Sequence, residues 1–212
     1  MLFLDKITYH QSGRPVFYVD NSYPCLGSGV LFYVKQNGKT HFLMQQEDNN
    51  QKYSFCDLGG KTDTSDSNII ETAVREVMEE TNGVLFSKLF KKKYHKEFGL
   101  NPVFKDYMIN FYRLFQDFEP RFIYSSKSKY LIIMVELNAE YINTNMLPNK
   151  ADSLTILQEG FGDVELKTSL SRRIIWMELK HFEGLLKNKK MHIRLKDTQM
   201  YHTVETLKKN SF

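Results

Sequence analysis

The chain has 212 residues, of which 42% are hydrophobic and 25% charged. That mixture excludes a disordered polymer and is enough to bury a sizeable core. The formal net charge of +4 suits an anionic substrate without demanding nucleic acid.

"MLFLDKITYH" lacks the basic start and the apolar stretch of a secretory signal. The longest apolar run, Tyr130 to Val135, is far too short to cross a bilayer. Cys25 and Cys56 are the only cysteines. Two thiols without a spacing motif read as reduced side chains of a cytoplasmic protein. No repeat, low-complexity tract or Pro/Gly/Ser-rich linker divides the sequence, so residues 1–212 are read as one domain.

"GSGVLFYV" (Gly27 to Val34) is rich in β-branched and aromatic residues and predicts a strand. Asn37-Gly38 follows as a hairpin signal, because a type I′ turn needs positive φ at two successive residues. "THFLMQQ" (Thr40 to Gln46) returns as the partner strand. "KYSFCDL" reads as a third short strand, ending at Gly59-Gly60.

A helix over about 68–81 comes next. Ile70, Ala73, Val74 and Val77 recur at helical spacing and form one apolar stripe. Asn68 and Glu71 have the form of a capping box, and Asn82-Gly83 offers a left-handed stop. Residues 85–98, "LFSKLFKKKYHKEF", fit either helix or strand. "RFIYSSKSKYLIIMVEL" reads as two antiparallel strands joined at Ser125 to Lys129. Residues 138–171 form a long connection without clear periodicity, and connections of that length are functional or mobile as a rule. "RRIIWM" is a late strand with Trp176 in the core. Helices around Leu179 to Leu186 and Thr198 to Lys209 follow. Strands interspersed with helices give a mixed α/β class.

The helix over 68–81 carries the chemistry. At 100° per residue, Glu76 and Glu80 stack one turn apart and Glu79 lies beside them. Like charges at this spacing repel by several tenths of a kcal/mol per pair. One reading is a solvated acidic face with Arg75 paired to Glu79. The other is a site for a hard divalent ion such as Mg²⁺ or Mn²⁺, which prefers oxygen ligands. The glycine pair upstream favours the second, because it lets backbone approach closely and offers a carbonyl.

"LGGK" and "REVMEE" (Arg75 to Glu80) resemble the signature of the Nudix hydrolases: Gly, five residues, Glu, seven residues, then Arg-Glu-U-x-Glu-Glu-x-Gly-U, with U a bulky aliphatic. The box covers residues 60–84 with a one-residue insertion in its loop. Counting forward from Gly60 places Asp66 at the first acid, and counting back from Arg75 places Ser67 there. In the family this acid mainly holds the loop on the helix. Asn82 stands where the family has Gly, which costs little because Asn tolerates the left-handed conformation. Leu58, preceded by Asp57, stands where many members have proline. The resemblance implies a Nudix-like α/β/α sandwich with a central mixed sheet.

It also implies hydrolysis of a nucleoside diphosphate linked to another group, with cleavage inside the diphosphate. Glu76, Glu79, Glu80 and the Gly59 carbonyl are the implied metal ligands. Glu76 and Glu79 double as catalytic residues, and Arg75 pins the glutamates by ion pairs. A divalent ion there would neutralise charge developing on the diphosphate and acidify a bound water. The three carboxylates are expected to converge toward the Gly59 carbonyl. The general base is sought among Asp152, Glu159, Asp163 and Glu165, with Glu159 first. The 138–171 connection is therefore expected beside the glutamate helix.

The expected substrate is a small nucleotide. The clusters Lys91–Lys96 and Lys187–Lys196 keep a second reading open, decapping of capped RNA, since basic runs with interleaved aromatics can track a phosphate backbone. His192 and Arg194 are read either as phosphate contacts or as packing and capping residues. A third reading is a Nudix-like module that binds without catalysis, although all three box glutamates are present. A homodimer is compatible with the sequence, and no membrane partner is expected.

Overall fold

The structure is a computed structural model and describes residues 3–49, 52–81, 120–137, 154–157, 172–188 and 190–209. Three strands the sequence analysis did not anticipate open the chain: β1 (Phe3–Tyr9), β2 (Pro15–Val19) and β3 (Tyr23–Cys25) form a small antiparallel sheet. The hydroxyl of Thr62 donates to the Pro15 carbonyl and that of Tyr124 to the Pro24 carbonyl. These bonds fasten the small sheet to the rest.

The larger sheet is built from β4 (Gly27–Gln36), β5 (Lys39–Asn49), β6 (Lys52–Cys56), β7 (Leu58–Lys61), β8 (Arg121–Ser125), β9 (Tyr130–Glu136), β10 (Leu154–Leu157) and β11 (Arg172–Glu178). Its main order is β10-β11-β5-β4-β9-β8, with β6 beside β5 and β7 beside β4. Only β4 and β9 run parallel among these pairs, so the sheet is mixed. The β4–β5 hairpin turns as expected, with Asn37 at φ 52° and Gly38 at φ 72°.

Strand periodicity sends alternate residues to opposite layers. Val30, Phe32 and Val34 of β4, with Ile133 and Val135 of β9, pack with Ile70, Ala73, Val74 and Val77 of α1 (Ile69–Thr81). Leu31 and Tyr33, with Ile132 and Met134, face the other way. They pack with α2 (Leu179–Lys187) and α3 (Thr198–Lys209), where Phe182, Leu186, Val204 and Leu207 are buried. The result is a mixed sheet between helical layers. Burial of both sheet faces explains why β4 and β9 read as continuous apolar runs instead of alternating. Trp176 is fully buried, as expected.

Two sequence expectations need correction. The 138–171 connection is not wholly irregular, since Leu154–Leu157 is a strand paired with β11 at the sheet edge. The third strand of the sequence reading is in fact two. Cys56 still pairs with Gln45 of β5, whereas Leu58, Gly59, Gly60 and Lys61 pair with Val30, Gly29, Ser28 and Gly27 of β4. The chain changes partner at Asp57, and this change brings the glycine pair under α1. Among the described residues no helix is long and apolar enough to cross a membrane.

Candidate active site

The N-terminus of α1 is fixed by local chemistry. Asn68 Oδ1 accepts from the backbone N–H of Ile70 and of Glu71, each at 3.0 Å. Glu71 closes the cap one residue earlier than a capping box would, accepting from Ser67 N–H at 2.7 Å. The helix lies across β4 and β7, so its acidic edge meets Gly59-Gly60.

Arg75 is the hub of that edge. Its Nε donates to Asp66 Oδ1 at 2.8 Å and its Nη2 to Asp66 Oδ2 at 3.1 Å and the Lys61 carbonyl at 2.9 Å. Its Nη1 donates to Glu76 at 3.0 Å and to both Glu79 oxygens at 3.3 Å. Burial alone would lower its pKa, but Asp66, Glu76 and Glu79 outweigh burial and hold it above the ordinary arginine value. Asp66 also accepts from Thr72 Oγ1 and Asp63 N–H, both at 2.8 Å. The loop thus hangs on Asp66. Ser67 is exposed and offers only its backbone N–H to the cap.

Of the three box glutamates, two touch the glycine pair. Glu80 Oε2 accepts from the Gly59 N–H at 2.8 Å. The Glu76 carboxylate sits so close to Gly60 that a Cβ there would collide with its carbon and both oxygens. A side chain at 60 would therefore push the Glu76 carboxylate out of its present place. Glu79 stands apart, its side chain 52% exposed and tied to Arg75. The expected convergence is on the Gly59 carbonyl; the contacts are instead Glu80 to the Gly59 N–H and Glu76 where a Gly60 Cβ would stand, and Glu79 stays apart from both.

Among the described residues, no three His, Cys, Asp or Glu side chains are gathered closely enough to hold a metal ion as they stand. The donor chemistry nevertheless fits a hard divalent cation. Three carboxylates share one helix edge, and burial of Glu76 is not fully offset by its ion pair with Arg75. Burial, with a smaller contribution from Glu79, pushes Glu76 up to about 7 against the opposing pull of Arg75. Gathering an ion would require the outlying Glu79 side chain to turn in toward Glu76 and Glu80 on a backbone already in place.

The Glu76 shift sets a stability dependence. Its pKa is raised on folding from 4.5 to about 7, so the folded state holds a proton that the unfolded chain has released. Stability from this group is full below pH 4.5 and falls as pH rises through 7. Metal-free Glu76→Gln is expected to lack that fall and to exceed the parent at pH 8 by up to about 3 kcal/mol. Denaturant titrations in EDTA at acid and alkaline pH measure the difference directly. Parallel pH profiles for the two proteins would remove Glu76 as a strained carboxylate.

Behind β7 lies a polar cluster that the sequence analysis did not assemble. Asp57 is fully buried. Its Oδ1 accepts from Arg194 Nε at 2.6 Å and its Oδ2 from the Tyr130 hydroxyl at 3.0 Å. Arg194 Nη2 also reaches the Asp57 carbonyl at 2.9 Å, and its guanidinium carbon lies 4.8 Å from the Tyr130 ring centre. Of the two readings of Arg194, the structure supports packing: its side chain is 11% exposed and bound to Asp57. His192 caps the short 3-10 turn Ile193–Leu195, accepting from Arg194 N–H at 3.4 Å. A sequence signal for this cluster did exist: an acid inside an apolar strand, "SFCDL", demands a cationic partner. "HIRL" carries an arginine among apolar residues.

Glu159, Asp152, Asp163 and Glu165 lie outside the described residues, as do Asn82-Gly83, Lys91–Lys96 and the ambiguous segment 85–98. No protein-family model matches the chain, and no curated protein matches it. Solved structures that resemble it include the crystal structure of a C. elegans Ap4A hydrolase binary complex. The two share 15% identity at a TM-score of 0.39, over 86% of this chain and 95% of that one. A crystal structure of C. elegans Ap4A hydrolase shares 16% identity at a TM-score of 0.32, over 88% of this chain and 96% of that one. Likeness at this level assigns no role to any residue here.

Proposed function

We propose that this protein is a divalent-ion-dependent hydrolase that cuts the diphosphate of a nucleoside diphosphate linked to another group. One observation carries the reading. The arginine-glutamate edge of α1 lies against a glycine pair, with Glu80 on the Gly59 N–H and Glu76 against Gly60. A solvated acidic face would have no reason to bury Glu76 at 15% side-chain exposure or to seat its carboxylate where a Gly60 Cβ would stand.

Glu76, Glu79 and Glu80, with the Gly59 carbonyl, would hold Mg²⁺ or Mn²⁺. The ion would supply charge neutralisation on the diphosphate and lower the pKa of water. Arg75 acts from the protein side. Its guanidinium bridges Glu76 and Glu79, while Asp66 and the Lys61 carbonyl fix its plane. The exposed Glu79 is free to swing toward substrate and orient the attacking water. Glu159 remains the first choice as general base. A nucleotide is the proposed small-molecule partner. The RNA reading gains nothing from Arg194, whose charge is spent inside the protein on Asp57.

The test is phosphate release from a panel comprising a nucleotide sugar, a dinucleotide, a nucleoside triphosphate and a capped RNA, with Mg²⁺, with Mn²⁺ and with excess EDTA. Hydrolysis of a small nucleotide that stops in EDTA and rises at or above pH 7 is the expected result. Full activity in EDTA would end the metal-hydrolase reading. Turnover confined to capped RNA would replace the substrate class.

A further inference from the structure

The buried cluster behind β7 is joined to the glutamate site through a single backbone. Gly59 is gripped from two sides. On one side its N–H bonds Glu80. On the other the Tyr130 hydroxyl, together with the Gly29 Cα and the Ser28 carbonyl of β4, occupies the space a Gly59 Cβ would need. That hydroxyl is oriented by Asp57, and Asp57 is clamped by the fork of Arg194, once on its carboxylate and once on its own carbonyl. Arg194 comes from the C-terminal segment, which runs beside β6: Phe55 bridges Met191, and His192 N–H donates to the Phe55 carbonyl at 2.8 Å.

We propose that Arg194 is a positioning residue for the glutamate site, acting through Asp57 and Tyr130 on the Gly59 backbone. This inference rests on the hydrolase reading above. The physical argument is one of rigidity. A buried carboxylate and a buried guanidinium are tolerated only when each satisfies the other and the remaining donors and acceptors are met. Here Asp57 accepts from both Arg194 and Tyr130, which fixes the hydroxyl where it backs the Gly59–Gly29 pairing beneath Glu80. Interactions of this kind orient metal ligands without touching the metal. Lysine in place of Arg194 would keep the charge and lose the fork, because one ammonium cannot reproduce two divergent, planar N–H bonds. The segment carrying Arg194 thus becomes part of the active site.

The probe is Mn²⁺ alone, counted from the electron paramagnetic resonance signal of the free ion, with the full chain. Arg194→Lys and Tyr130→Phe both preserve charge at the cluster, so a change in affinity reports geometry. Each is expected to weaken Mn²⁺ binding about tenfold at temperatures well below its melting midpoint. In a Glu80→Gln background the further loss should vanish, because the carboxylate that the brace positions is no longer there to ligate the ion. A purely structural role would lower the melting midpoint and leave the affinity of folded protein unchanged. Wild-type affinity in folded Tyr130→Phe and Arg194→Lys would therefore overturn the proposal, and Tyr130→Phe decides alone if the lysine variant does not fold. Failure of the parent protein to bind Mn²⁺, or parental affinity in Glu80→Gln, would instead overturn the hydrolase reading on which it stands.

Discussion

Glu80→Gln is expected to lower turnover on the order of a hundredfold or more, since several kcal/mol of charge stabilisation are at stake. The substitution isolates charge from shape. A glutamine oxygen can still accept from the Gly59 N–H that Glu80 engages at 2.8 Å, so α1 and β7 keep their contact. What disappears is one unit of ligand charge at the proposed ion site. Glu71→Gln is the matched control: it changes the same group on the same helix. Glu71 serves only the cap, accepting from Ser67 N–H. Its loss of charge near the helix N-terminus should cost about 0.5 kcal/mol of stability and leave the rate within about twofold. Steady-state rates of both variants at saturating Mg²⁺ decide the matter. Equal rates would contradict the assignment of the three glutamates.

How far the sequence revealed these features depended on how local their causes were. The α1 stripe of Ile70, Ala73, Val74 and Val77 and the Asn37-Gly38 turn are set by neighbours within a few residues, and both stand where the pattern placed them. The small N-terminal sheet gave no such pattern. Its pairing shifts register between Leu4 and Ile7, which breaks the alternation, and its anchors come from Thr62 and Tyr124 far along the chain. β10 is four residues long and exists only as an edge strand against β11. A segment that short carries too little periodicity to be read alone. Asp57 is the plainest case. Local sequence shows that Asp57 needs a cation, but the partner is Arg194, 137 positions away, and no local pattern says which cation it is.

The loop of the glutamate box poses a different question, because sequence counting gave two answers for its anchoring acid. The structure decides for Asp66. Its side chain is 2% exposed and makes two bonds to the Arg75 guanidinium, while Ser67 lies in solvent. The insertion is absorbed in the exposed turn at Asp63 to Ser65, where Asp63 accepts from the backbone and side chain of Ser65. Asp66→Ala would strip Arg75 of its most buried partner, leave Asp63 N–H without its acceptor and leave Thr72 Oγ1 only the longer bond to the Asn68 carbonyl. Breaking one side of a buried pair costs about 3–5 kcal/mol. Glu76 and Glu79 still hold Nη1, so a loss near the lower end, about 3 kcal/mol, is expected. Ser67→Ala should change stability by less than about 0.5 kcal/mol. Turnover of the folded Asp66→Ala protein should fall far less than that of Glu80→Gln, because Asp66 bonds Nε and Nη2 of Arg75 while the glutamates keep Nη1. Denaturant unfolding of the two alanine variants, paired with their rates, tests both halves of the argument. A destabilised Ser67→Ala beside an unperturbed Asp66→Ala would return the anchor to Ser67 and move the insertion to the other side of the acid.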